Sequence, residues 1–143
     1  MAANGHTKFD IPHVLASFKK AGEEMADKVA LQIEAQTKVN IQQNGQIDTG
    51  FMLNSTYTVS KKRNTYGKTN PNGEYVSQEG DLVKREIAPA VRLPSDALAA
   101  VSVGAEYAVY QEVKKPFLYP AVKTVAGQVG GKAQKIFKEA LRD

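Results

Sequence analysis

Val14, Phe18, Ala21, Met25, Val29 and Ile33 recur at steps of three and four, which places them on one stripe of an α-helix. This run constrains the fold more than any other stretch of the chain. The pattern fades near Val39-Asn40-Ile41, and Asn44-Gly45 is a stop signal. Asp10 is a candidate N-cap, and Pro12 is tolerated in a first turn. Glu24 and Lys28 stand four apart in the favourable order. The spacing predicts one helix over about 11–42, well beyond the ~11–12 residues of an average helix. A helix of that length lies across a sheet or contributes to an oligomer contact.

Alternation takes over after it. Asp48 or Thr49 can cap a short helical turn built on Gly50 to Asn54, and residues 55–60 alternate as a strand with Tyr57 and Val59 on one face. Residues 61–80 lose periodicity and carry the turn formers Asn64, Gly67, Asn70-Pro71-Asn72-Gly73 and Glu79-Gly80. They predict a long mobile loop, or an extended hairpin with its tip at Asn70 to Gly73. Val83, Arg85 and Ile87 alternate again, and residues 98–103 form the strongest strand pattern before Gly104 breaks it. A helical turn is expected over 106–113. Pro120 opens a last helix that Gly127, Gly130 and Gly131 should bend.

Strands set between terminal helices predict an α+β fold. Its sheet would be small and antiparallel or mixed, built from about 55–60, 82–88 and 98–104. The long N-terminal helix and a C-terminal helix would pack on it. Phe18, Met25, Val29, Val101, Val103, Phe117 and Ile136 are the expected core. The length of 143 residues predicts one domain, with residues 1–10 as a flexible polar arm lacking the apolar core of a signal peptide. A chain of this length buries roughly 68–70% of its unfolded surface. There is no cysteine, hence no disulfide framework and no thiolate metal site. No apolar run is long enough to span a membrane as a helix.

The formal charge of +4 is concentrated locally, because Lys61, Lys62, Arg63 and Lys68 carry no acid between them. Such a cluster could touch DNA or an acidic neighbouring subunit, and as a plain charge run it reads as a solvated loop. Other chemistries find less footing. Asp48-Thr49-Gly50 spells an aspartic-protease tripeptide, but that loop belongs between strands of an all-β lobe, whereas here a helix precedes it. Residues 126–133 resemble a phosphate loop superficially, yet lack its first glycine and a Ser or Thr after Lys132. His6, Asp10 and His13 are better read as exposed side chains than as metal ligands. No cofactor is expected.

The most distinctive residues are shape residues. Asp48-Thr49-Gly50 is followed by Leu53-Asn54-Ser55, later by Gly104, then by Tyr107-Ala108-x-Tyr110-x-Glu112, and then by Pro116-Phe117-Leu118-x-Pro120-Ala121. This ordered set resembles the head–tail joining, or tail-completion, proteins of the neck of long-tailed phages. The joining loop is shorter here, since Val113-Lys114-Lys115 stands where family members commonly carry an aromatic, a glycine and a threonine. The resemblance frames residues from about 11 to 142. It implies a virion structural protein and no catalysis. Such a protein works as a ring, typically six-fold, between a head-side connector protein and the tail-tube protein, with DNA passing through the lumen. It would be assembled in the host cytoplasm. A small basic nucleic-acid-binding module and an aspartic hydrolase dimer are the alternatives. The candidate interface residues are Lys61, Lys62, Arg63, Lys68, Tyr107, Tyr110, Glu112 and Tyr119. Of the tyrosines, one of Tyr107 and Tyr110 should pack in the core and the other should line the interface.

Overall fold

The computed structural model describes residues 11–46, 50–69, 72–77 and 79–142. The expected N-cap at Asp10, the cap at Asp48 or Thr49, and the 1–10 arm lie outside the described residues. The long stripe forms helix α1, Ile11–Gln43, roughly 50 Å long at 1.5 Å per residue. A four-residue helix α2 follows, Phe51–Asn54, entered through Gly50 at φ 80°. Three strands come next in sequence: β1 (Thr56–Ser60), β2 (Asn72–Val76) and β3 (Leu82–Glu86). Strand β4 is Ala99–Val103, and helices α3 (Ala108–Lys114), α4 (Leu118–Ala126) and α5 (Val129–Arg142) complete the chain. The class is α+β: the long helix packs against a two-stranded antiparallel sheet and against the C-terminal helices.

The expected three-stranded sheet is not what forms. β1 pairs with β4, and β2 pairs with β3, in separate antiparallel ladders. The 82–88 segment leaves the body of the protein as the second arm of a hairpin and returns only past its end. There Ile87 is buried, and the Ala88 N–H donates to the Gly104 carbonyl at 3.0 Å. Gly104 is needed at that closure. A Cβ on it would stand 3.0 Å from the Ile87 Cβ and 3.4 Å from the Ser55 carbonyl oxygen.

Residues 61–80 are likewise not one open loop. They hold a turn over 61–63, a 3-10 turn at Thr65–Lys68 and all of β2. The hairpin turns at Ser77–Asp81, where Gly80 takes φ 88° and the Ser77 N–H donates to the Asp81 carbonyl at 2.9 Å. Of the expected tip, Asn72 and Gly73 lie in β2, and Asn70-Pro71 lie outside the described residues. Asn and Gly are turn formers in either place, so composition alone could not choose between them.

α1 packs against β1, β4, α4 and α5. The β1–β4 ladder lies over its second half, where the Thr58 hydroxyl reaches the Ala30 carbonyl at 3.5 Å and the Ser60 hydroxyl reaches Asp27 at 2.6 Å. The core gathers there from Ile41, Phe51, Met52, Ile87, Ala105, Ala108 and Phe117. Tyr57 is equally buried, with its ring edge-on to Tyr66 at 5.0 Å and its hydroxyl accepting the Val91 N–H at 2.9 Å.

Phe117 and Ile136 are buried as expected, but the other expected core residues are not. Met25, Val29, Val101 and Val103 are half-buried, and Phe18 is 38% exposed. The first half of α1 runs beyond the β1–β4 ladder and packs against α5. Among the described residues the Phe18 ring meets Phe137, at 5.6 Å between rings, while Leu15 lies open. A stripe on a helix says which face is apolar, not how far along the helix a partner extends.

The last helix breaks where its glycines predicted. α4 ends at Ala126, and Gly127-Gln128 form a turn before α5. This places residues 126–133 across a helix–helix corner, not after a strand, so the context of a phosphate loop is missing.

Phe117→Ala should therefore cost about 3–5 kcal/mol of stability, the range for deleting a fully buried ring. Phe18→Ala should cost well under half of that, because much of its ring is already in water. Chemical denaturation of the two variants checks the ordering.

Candidate interaction surface

The corner between α3 and α4 is built from the residues that made the sequence distinctive. Glu112, in the last turn of α3, points back over the start of α4. Its carboxylate accepts the N–H groups of Phe117 (2.8 Å), Leu118 (3.0 Å) and Tyr119 (2.9 Å). Those are the N-cap and first two positions of α4. The next residue is Pro120, which has no N–H. A helix start leaves four N–H groups without intrahelical partners, and here every one is answered or absent. The negative charge also sits favourably at the positive end of the helix dipole.

The carbonyl side of the corner is held by amides from the end of α1. Asn40 donates to the Phe117 carbonyl at 2.9 Å, and Asn44 donates to Pro116 at 3.0 Å. Gln46 donates to Lys115 at 3.1 Å and to Gln111 at 3.3 Å. The Lys115 ammonium returns a bond to the Asn44 carbonyl at 3.1 Å. Gly45, at φ 69°, lets the chain turn between Asn44 and Gln46. The sequence reading took Asn44-Gly45 only as a stop signal and missed these amides. Their one visible trace was the density of side-chain amides where the apolar stripe fades.

With its polar groups occupied, the corner buries Phe117 and turns other residues outward. Tyr107 packs on Phe51 with ring centroids 6.2 Å apart, whereas Tyr110 is 72% exposed. Tyr107 is thus the partly buried one of the pair and Tyr110 the exposed one. Val109, Val113 and Tyr119 are exposed with Tyr110, and Lys123 lies 5.5 Å from the centre of the Tyr119 ring. Glu112 does not belong to that outward group, because its carboxylate is taken up within the corner.

The basic cluster is divided too. Arg63 turns inward and grips Asp27 of α1 with two bonds of 2.8 Å, Nε to Oδ1 and Nη2 to Oδ2. The Ser60 hydroxyl adds a third at 2.6 Å. Burial pushes the Asp27 carboxyl up, but the hydrogen bonds from Arg63 and Ser60 outweigh it and hold the group below the usual carboxylate range. Thr65 ties the same segment to α1 through Glu34 at 2.7 Å. Lys61, Lys62 and Lys68 remain exposed and form no ion pair among the described residues. Arg63 therefore positions the turn, and the lysines are what that turn presents.

Asp48 and Thr49 of the protease-like tripeptide lie outside the described residues, as do His6 and Asp10. No group of three His, Asp or Glu side chains that could hold a metal ion occurs among the described residues. No described helix is long and apolar enough to cross a membrane. Comparison of the chain with protein-family models, with curated proteins and with solved structures finds no match.

Two predictions follow from this chemistry. Glu112→Ala should destabilise the fold by about 1–3 kcal/mol, because it strips acceptors from partly buried N–H groups. Glu112→Gln, which keeps one acceptor oxygen, should cost less, and thermal unfolding separates the two. The Asp27 carboxyl titrates lower in the folded chain than in the unfolded one. Its contribution to stability is thus complete above the ordinary carboxylate range and is lost as pH falls through that range towards the folded value. Urea midpoints measured from neutral to acid pH should drop for the native chain and drop less for Asp27→Asn.

Proposed function

We propose that the chain is a structural protein of a tailed-phage virion, a ring-forming subunit that completes the tail and joins it to the head. The observation that carries this reading is the α3–α4 corner. The residues of the neck-protein resemblance, Tyr107 to Glu112 and Pro116 to Ala121, form one self-capped unit whose polar groups face inward and whose Val109, Tyr110, Val113 and Tyr119 face out. A surface of that kind suits assembly. The reading assigns no catalysis and no cofactor.

In the virion the partners would be further copies of the chain, the head-side connector protein and the tail-tube protein. Lys61, Lys62 and Lys68 would face either an acidic neighbour or DNA in the lumen. The nucleic-acid-module alternative is weakened by Arg63, because its guanidinium is committed to Asp27.

The test substitutes the exposed face without touching the core. Val109→Asp combined with Val113→Lys should leave the unfolding temperature close to that of the native chain, since surface changes away from special features usually stay within about 0.5 kcal/mol. Supplied to a phage lacking its own copy, this variant should yield separate heads and tails by electron microscopy. Normal titres of joined particles would remove the corner from the joining role.

A further inference from the structure

The β2–β3 hairpin stands apart from the rest of the fold. Its strands pair with each other, and neither packs extensively on another element. A lone two-stranded hairpin is marginal in water. Nearest its turn, the cross-strand pair Val76 and Leu82 is 60% and 63% exposed. The turn beyond carries Glu79 and Asp81, both exposed. Among the described residues, no other element packs extensively on this acid-tipped arm.

The body of the protein offers a seat of matching character. β4 pairs with β1 along one edge, and its other edge has no strand partner among the described residues. Along it runs a groove of ≈ 450 Å³ lined by Val29 and Ile33 of α1, Leu98 and Val101 beside and within β4, and Leu118 and Val122 of α4. Leu98 and Val122 are 42% and 40% exposed. Lysines stand near one end of this seat, with the exposed Asp96 close by. Ser60 pairs with Ala99, so Lys61 and Lys62 follow β1 beside the Leu98 end of the groove.

We infer that the β2–β3 hairpin of one copy docks on the open β4 edge of a second copy. Val76 and Leu82 enter that copy's groove, and Glu79 and Asp81 lie against its Lys61 and Lys62. Main-chain bonds along β4 supply affinity and the apolar pair supplies register, the recognition mode of a strand added to a sheet edge. Charge complementarity between the acidic tip and the lysine turn selects a second copy as the occupant. Arm and seat are different surfaces of one chain, so the contact is head-to-tail and closes into a ring when its rotation allows. The inference rests on the ring reading, in which each arm finds its seat on the next copy.

The chain has no cysteine, which permits a direct test. Val76→Cys and Leu98→Cys are made in separate full-length chains, mixed, concentrated and treated with a short bismaleimide. The expected main product joins position 76 of one chain to position 98 of the other. A charge test runs beside it. Glu79→Lys with Asp81→Lys should weaken self-association roughly tenfold, the direction expected for a like-charge rim. Adding Lys61→Glu and Lys62→Glu to the same chain should restore it. Both sets of substitutions are on exposed residues, so circular dichroism should show unchanged folding. If the native chain forms rings by sedimentation and electron microscopy but gives no 76–98 product and ignores the charge reversal, the arm docking is overturned and the ring reading stands. If the native chain stays monomeric at every concentration and gives no such product, both fall.

Discussion

The carboxylate of Glu112 fixes the corner on which the second half of the fold depends. A helix that starts four residues after another ends has little room to answer its free N–H groups. Here one side chain takes those of Phe117, Leu118 and Tyr119, and Pro120 removes the need for a fourth. That arrangement needs an acid five residues before the N-cap and a proline three residues after it. The spacing from Glu112 through Pro116 and Phe117 to Pro120 is therefore a single physical device, not two adjacent motifs. With α4 held at that angle, Phe117 is directed into the core, and Asn40, Asn44 and Gln46 can meet the carbonyls of the joint.

Asp27 plays the matching part on the other side of α1. A carboxylate almost excluded from water costs stability unless its oxygens are answered. Arg63 and Ser60 answer them. Through those bonds the end of β1 is fixed along the helix, and with it the register of the β1–β4 ladder. The sheet has only two strands, so it relies on the helix face beneath it, as short sheets must. Polar groups thus set where the apolar layers meet, and burial then stabilises the arrangement.

Much of this was legible in the sequence. Helix α1 ends within a residue of the expected boundary, and β1, β3 and β4 fall where alternation placed them. The break in the last helix follows its glycines. Periodicity is a local signal, and it identified local structure. Pairing is not local. Nothing in Val83, Arg85 or Ile87 says whether their strand joins β1 or β2, and the short turn at Ser77–Asp81 decides it. The depth of the core was also hidden. Phe18 and Phe117 are equivalent as letters, but Phe18 is 38% exposed beside Phe137 of α5, whereas Phe117 is fully buried in the core cluster. The amide clamp from Asn40 to Gln46 was invisible for a related reason, since its acceptors lie about seventy residues away.

The distribution of exposed apolar groups has a common origin in these constraints. α1 is long, yet the β1–β4 ladder covers only its second half, so Leu15 and Phe18 at the other end are left partly open. α3 is held by the capping bonds at its end, which turn Val109, Tyr110 and Val113 away from the core. β3 is drawn out of the body by its tight turn to β2, which leaves one edge of β4 with no strand partner among the described residues and the hairpin with an exposed pair. Folding β3 onto β4 would break its ladder with β2. Polar bonds thus hold apolar surface outward on this chain, and in the proposed ring the geometry inside the subunit would set the geometry between subunits.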